Sequence, residues 1–259
     1  MWSLRSVEAS DDALKPYLAC LDDAEHERAA RFSASDLRRD FVVARAGLRV
    51  LLGDALGRPA ADLRFTYGAR GKPELGLEDD GPEAAISFNL SHSNGLAALV
   101  ICRQAGFAVG IDIERQRTVK PELARRYFAA DEWVALSKMP EGQREASFFN
   151  LWVAKEACLK ASGLGVSGGL DAFSFDVGSL SANADRALPC AVSPRHVHGA
   201  WGVPEQWRLA LFDPGTCEAT GAGPGVTDPA LPMSGAVAVF SGGEIPDVQT
   251  RFRLVSFSV

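Results

Sequence analysis

Along residues 25–56 (EHERAARFSASDLRRDFVVARAGLRVLLGDAL), apolar positions recur at helical spacing around Phe41, Ala44, Leu48, Leu51 and Leu52. This predicts a helix closed near Gly53 or Gly57. Beyond Arg58-Pro59 the pattern changes to short apolar runs, LRFTYG, ISFNLS and GLAALVICR, with a Gly71-Lys72-Pro73 turn among them; these read as strands. AVGIDIERQR predicts a further strand running out into a loop. Glu122 to Lys138 returns to helical spacing, and Phe148 to Ser162 (FFNLWVAKEACLKAS) predicts a second strong helix ending at Gly163. AFSFDV, WRLALF, GAVAVF and RFRLVSFSV again read as strands. Asp213 to Gly235 (DPGTCEATGAGPGVTDPALPMSG) is too rich in Gly and Pro to bury much apolar surface, which predicts a mobile surface loop. The alternation of long helices with short strands defines an α+β protein.

An offset of about 110 residues places Val43-Ala44-Arg45 on Val153-Ala154-Lys155, Gly53 on Gly163, and Leu63 and Phe65 on Phe173 and Phe175. Two related halves would produce this self-similarity. Chance recurrence of helix, glycine cap and strand would produce it too.

Composition narrows the class. With 259 residues and 47% apolar content, the chain can bury one large core or two small ones. A net charge of −6 argues against a duplex nucleic-acid binder, whose affinity rests on a basic face. Five cysteines stand singly, with no C-x-x-C pair, so neither a zinc site nor a disulfide framework is indicated and a reducing cytoplasm is expected. The first residues, MWSLRSVEASDD, lack the basic-then-apolar order of a signal peptide, and no apolar run approaches the ~20 residues of a membrane span.

Candidate chemistry lies in four places. In Gly110-Ile111-Asp112-Ile113-Glu114, residues two apart on a strand share a face, so Asp112 and Glu114 present paired carboxylates while Ile111 and Ile113 enter the core. Magnesium takes one or two carboxylates together with water and substrate phosphates, so such a pair suits a phosphorylated ligand. A solvated strand end would read the same way. In Trp152-Val153-Ala154-Lys155-Glu156-Ala157-Cys158-Leu159-Lys160, Trp152, Glu156 and Lys160 follow one another at single-turn spacing, and Glu156 offers a third carboxylate. A Glu–Lys pair at that spacing is also an ordinary surface ion pair worth ~0.3 kcal/mol. Phe88-Asn89-Leu90-Ser91-His92-Ser93-Asn94-Gly95 carries hydroxyls and an imidazole into a glycine turn, a phosphate-binding composition or a locally bonded turn. Gly71-Lys72-Pro73 holds one cation, and Arg28, Arg45 and Arg49 add three that could address phosphates.

The order G-K-P, F-N-L-S-H-S, G-I-D-I-E, W-x-x-K-E-A-x-x-K resembles the 4'-phosphopantetheinyl transferase superfamily, in the two-halved form that activates surfactin-type peptide synthetases. The resemblance runs from about Arg28 to about Val177. It implies two similar α/β subdomains related by pseudo-twofold symmetry, residues 1–106 carrying the coenzyme A nucleotide contacts. Residues 107–259 would carry the Mg2+ carboxylates and the face toward the carrier protein. It further implies a cytoplasmic monomer with coenzyme A and an apo acyl or peptidyl carrier protein as partners, and neither nucleic acid nor membrane. By the same resemblance Asp112, Glu114 and Glu156 bind Mg2+. Lys72, Pro73, Ser91 and His92 contact the nucleotide, with Arg28 and Arg49 as further contacts, and Lys155 and Lys160 face the pyrophosphate. Glu25 and Phe41 depart from the family pattern, standing where relatives often carry a basic and a polar residue. The stretch from Ser179 to Gly235 is longer than the family leads one to expect.

The implied reaction moves 4'-phosphopantetheine from coenzyme A to a carrier serine, releasing adenosine 3',5'-bisphosphate. Glu156 or a metal-bound water takes the serine proton, and Lys155 or Lys160 offsets the developing charge. Arg125, Arg126, Lys138 and Arg144 are expected to face an acidic carrier. Two other readings compete: a non-catalytic binding module for coenzyme A or carrier protein, and a magnesium enzyme, such as a pyrophosphatase, that needs no protein acceptor.

Overall fold

The computed structural model describes residues 1–68, 71–76, 86–163, 169–182, 190–198, 201–214, 232–243 and 245. The expected helix over 25–56 is two helices: α2 (Asp23–Ala30), which follows α1 (Asp11–Leu18), and α3 (Ser35–Leu56). The reason is a carboxylate. Glu25 bonds Arg45 and Arg49 of α3, and in one unbroken helix Arg45 would lie about 30 Å further along the axis. The break at 31–34 folds α2 back so that the ions meet. Gly57, at φ 69°, caps α3 in the left-handed conformation that glycine adopts without a Cβ penalty.

The expected helix over 122–138 also divides, into α4 (Pro121–Tyr127) and α5 (Ala130–Ser137), because Phe128 and Ala129 are extended. Glu132 accepts the Ala129 N–H at 2.9 Å and closes the first turn of α5. The second long helix, α6, spans Glu141–Ser162 and ends at Gly163, φ 77°, as its pattern predicts.

Strand β1 (Trp2–Ser3) pairs with β5 (Leu96–Cys102), which pairs with β4 (Ser87–Ser93), in one antiparallel sheet; β2 (Phe65–Tyr67) and β3 (Pro73–Leu75) form a separate ribbon. A second sheet has the order β6–β11–β10–β8, from β6 (Phe107–Arg115), β8 (Cys190–Val192), β10 (Trp207–Phe212) and β11 (Met233–Ser241). AFSFDV supplies only a short β7 (Phe173–Ser174), paired with β9 (His196–Val197). Asp176 then accepts the Gly178 N–H at 2.9 Å and opens helix α7 (Val177–Ala182). Of the stretch expected to be a loop, Met233, Ser234 and Gly235 belong to β11, while residues 215–231 and the run RFRLVSFSV lie outside the described residues.

One core, around Leu48, Leu52 and Phe88, sits between α3 and β4, and another, around Phe149, Ala157, Phe173 and Trp207, sits between α6 and the second sheet. A third cluster, with Leu96, Ala98, Ile111, Ile113, Phe212 and Val237, joins β5 to β6, β10 and β11.

Between the two sheets, β4 and β6 run side by side and are joined by side chains. Ser87 Oγ accepts the Val109 N–H at 3.2 Å, Asn89 Oδ1 the Ile111 N–H at 2.9 Å, and Ser91 Oγ the Ile113 N–H at 3.4 Å. The constant separation of 22 residues marks the strands as parallel and in register. Period-two alternation on β4 makes this possible: Phe88 and Leu90 pack toward α3 while Ser87, Asn89, Ser91 and Ser93 address β6.

Candidate active site

Gly110 sets the depth of the site. A Cβ built there would lie 2.1 Å from the Ala157 carbonyl oxygen and 2.4 Å from the Ala161 nitrogen, so only glycine lets β6 lie against α6. That contact brings Asp112, two residues on, beside Glu156 and Lys160, which line a cleft of about 320 Å³ with Ser91, His92, Glu114 and Trp152. Trp152 forms a wall, stacked on Phe148 with ring centroids 5.8 Å apart.

Asp112 is 6% exposed. Its Oδ1 accepts from Lys160 Nζ at 2.7 Å and from Ser91 Oγ at 3.0 Å, and its Oδ2 is buried with no hydrogen-bond partner among the described residues. Burial pushes its carboxyl above the ordinary aspartate range, and Lys160 and Ser91 draw it part of the way back. Glu156 is 8% exposed, and its carboxylate has no hydrogen bond or ion pair among the described residues. Its carboxyl is raised by burial first and by the charge of Asp112 second, against the pull of Lys160. Two buried carboxylates, Glu156 raised by the charge of Asp112 and Asp112 left with an orphaned oxygen, form a site that gains from a cation.

Glu114 stands further out, accepting from Ser93 Oγ at 3.1 Å and Arg117 Nη1 at 3.4 Å. Among the described residues no three His, Cys, Asp or Glu side chains converge to hold a metal by themselves. Asp112, Glu114 and Glu156 nonetheless line one cleft; Lys160 occupies one oxygen of Asp112, and Glu114 is engaged by Ser93 and Arg117. Two buried acids, Asp112 and Glu156, with Glu114 at the rim of the same cleft, are a donor set that fits a magnesium ion, which takes one or two protein carboxylates when phosphates and water complete its shell.

Two expected site residues lie elsewhere. Lys155 is fully buried on the opposite side of α6, ion-paired with Glu132 at 2.7 Å and donating to the Leu170 and Phe173 carbonyls, so it does not face the cleft. One position from Glu156 on a helix is a rotation of about 100°, which separates the two sides. Arg49 is likewise fully buried, bonded to Glu25, Asp22 and the carbonyls of Ala60 and Leu63, and so is closed off from a ligand.

The other nucleotide-site candidates divide by the alternation of β4. Ser91 turns toward Asp112, while His92 keeps an exposed edge and feels Asp40 and Arg28 as well as Lys160. Burial, then Lys160, then Arg28 push its imidazole below the ordinary histidine value, against Asp40. Lys72 donates to the Lys160 carbonyl at 2.8 Å, so it caps the end of α6; with Pro73 it lines a neighbouring cavity of about 340 Å³. Arg28 lies over the Phe41 ring at 5.1 Å in a larger cleft of about 650 Å³ shared with Arg31, Phe32, Arg45 and Tyr67. The sequence reading missed Arg31, Phe32 and Tyr67 here. Only the helical spacing of Arg28 and Arg31 could have signalled them.

Models of one family match most of the chain. A family model described as 4'-phosphopantetheinyl transferase superfamily matches residues 108–211, and one described as 4'-phosphopantetheinyl transferase, N-terminal, matches residues 6–104. The chain is 37% identical over 171 residues to the 4'-phosphopantetheinyl transferase HetI of Nostoc sp., covering 64% of this chain and 69% of that protein. It is 34% identical over 193 residues to the transferase Sfp of Bacillus subtilis, covering 68% and 83%, and 32% identical over 185 residues to psf-1 of Bacillus pumilus, covering 70% and 75%. The chain belongs to the 4'-phosphopantetheinyl transferase superfamily, in its Sfp-like branch.

Proposed function

We propose that this protein transfers the 4'-phosphopantetheine group of coenzyme A to a serine of an apo acyl or peptidyl carrier protein, with Mg2+ as cofactor. The observation that carries the reading is the cleft in which Asp112 and Glu156, buried and mutually repelling, meet Lys160 beside an orphaned carboxylate oxygen. Asp112 and Glu156 would hold the ion, with Glu114 at the rim. Bound there, Mg2+ would neutralise charge on the coenzyme A pyrophosphate.

The residues of the chain supply the remaining chemistry. Lys160 brings a cation to the same oxygens and offsets charge on the departing phosphate. Glu156, its carboxyl raised toward neutrality, is the better-placed base for the carrier serine proton. The imidazole of His92 lines this cleft and could offer a hydrogen bond to the ligand there. Arg28 and Arg31 beside Phe32, Phe41 and Tyr67 combine phosphate-pairing cations with aromatic faces, a composition suited to the phosphorylated adenosine of coenzyme A.

This reading takes residues 1–106 and 107–259 as two related halves with pseudo-twofold symmetry in a monomer, the first holding the nucleotide and the second the acids. The repeated ion-pair network described in the Discussion supports it. Arg125, Arg126, Lys138 and Arg144 would meet an acidic carrier. Cys20, Cys102 and Cys158 are free thiols, which suits work in the cytoplasm. No described helix is long and apolar enough to cross a membrane.

The test is intact-protein mass spectrometry of a purified apo carrier protein incubated with this protein, coenzyme A and Mg2+. The carrier should gain one phosphopantetheine, and chelation by EDTA should prevent it. No gain across acyl and peptidyl carriers would overturn the reading in favour of a binding module.

A further inference from the structure

The acids of the site sit on β6, whose one edge is paired with β11. The other edge faces β4, where no backbone ladder forms. Ile111 and Ile113 flank Asp112, and each of their N–H groups is taken up by a β4 side chain: Asn89 at 2.9 Å and Ser91 at 3.4 Å. Asn89 is 6% exposed, so the Ile111 N–H it accepts has no water to turn to if the amide is removed.

We infer that Asn89 is a positioning residue for the transfer reaction: its side-chain oxygen stands in for a missing strand and fixes the β6 backbone, and with it the direction of the Asp112 carboxylate. The inference rests on the function proposed above and concerns a residue with no direct role in it. Ser91 bonds Asp112 and Lys160 as well as the backbone, so its loss would mix several effects. The Asn89 side chain bonds only the β6 backbone among the described residues, and so isolates the positioning effect.

The neighbouring serines supply the conservative substitution. Ser87 and Ser91 accept β6 amides from the same strand face, so a serine hydroxyl reaches that edge. Asn89→Ser keeps an acceptor. Asn89→Leu keeps the volume and removes the acceptor. Ser87→Ala removes the equivalent bond at Val109, three residues from Asp112, and serves as the stability control.

Two readouts apply: kcat and KM for transfer, and coenzyme A affinity by calorimetry with and without Mg2+. Asn89→Leu is expected to lower kcat about tenfold and to weaken the Mg2+-dependent part of coenzyme A binding by a similar factor, the usual scale for a group that orients a metal ligand. Asn89→Ser should stay within about threefold of the parent protein on the same scale. Ser87→Ala should shift thermal stability and leave both functional readouts unchanged. The inference is overturned if Asn89→Leu matches Ser87→Ala in both, or if Asn89→Ser fails as badly as Asn89→Leu. A parent protein that binds coenzyme A more tightly with Mg2+ but transfers nothing would sink the proposed function and leave the positioning role to be judged by calorimetry. A parent protein whose coenzyme A affinity ignores Mg2+ would overturn the positioning role itself.

Discussion

Arg49 and Lys155 each anchor a buried network of the same make-up: a cation on a long helix, a glutamate that caps a short helix, and two backbone carbonyls. Arg49, on the first long helix, reaches Glu25 at 2.6 Å and donates to the carbonyls of Ala60 and Leu63. Lys155, on the second, reaches Glu132 at 2.7 Å and donates to the carbonyls of Leu170 and Phe173. Glu25 and Glu132 each close the first turn of a short helix, accepting the N–H of Asp22 and of Ala129. The carbonyl partners, Ala60 with Leu170 and Leu63 with Phe173, keep the 110-residue offset visible in the sequence, whereas the ion pairs fall about one helical turn short of it, since that offset sets Arg45 and not Arg49 on Lys155.

Because both partners are fully buried, Lys155→Met leaves an unpaired carboxylate at Glu132 and should cost about 3–5 kcal/mol of stability in chemical denaturation. Adding Glu132→Gln should recover part of that. A Lys155→Met protein as stable as the parent but inactive in transfer would return Lys155 to the cleft.

Asp112→Ala and Glu156→Ala should each abolish carrier modification, read by intact mass, while circular dichroism shows the fold retained. Both side chains line the cleft, and their mutual repulsion is relieved in the variants. Near-normal turnover in either one would remove the assignment of the acids to the metal.

Gly110→Ala drives a methyl group into the backbone of α6, where neither the Ala157 oxygen nor the Ala161 nitrogen can step aside. Stability should fall by about 3 kcal/mol or more, at the upper end of overpacking costs. A midpoint of denaturation within error of the parent would mean that β6 and α6 are further apart than described.

His92 should titrate below the ordinary value of about 6.5 in an NMR pH series. Arg28→Ala removes a repelling cation and should move the midpoint up; Asp40→Asn removes an attracting anion and should move it down. A folded-state value lower than the unfolded one means that the stability linked to His92 is complete above about pH 6.5. It is lost as pH falls through the folded value. An unshifted midpoint in Arg28→Ala would mean that the Arg28 charge does not reach His92.

Much of the fold was legible in the chain. The second long helix, its glycine cap and the strand carrying Asp112 follow from local period and turn chemistry, which neighbouring residues decide. The two helix breaks were not legible. The first exists because Glu25 must reach cations on a later helix, and the second because Glu132 caps a new turn at Ala129; hydrophobic spacing carries no record of either pairing. The role of Ser87, Asn89 and Ser91 was hidden for the same reason, since a polar alternation on a strand does not say which edge it will meet.

For the site, the sequence by itself determined which residue types are present and in what order: an acid pair on a strand, an acid and a lysine one turn apart on a helix, a histidine at a strand end. Those are properties of covalent order and local geometry. Only the tertiary structure decided which of them meet. It turned Lys155 and Arg49 into the core, set Glu156 and Lys160 against Asp112, and engaged Glu114 with Ser93 and Arg117. The physical reason is that burial and partner choice depend on how helix and strand pack, and that packing is fixed here by contacts such as Gly110 on Ala157, which join distant parts of the chain.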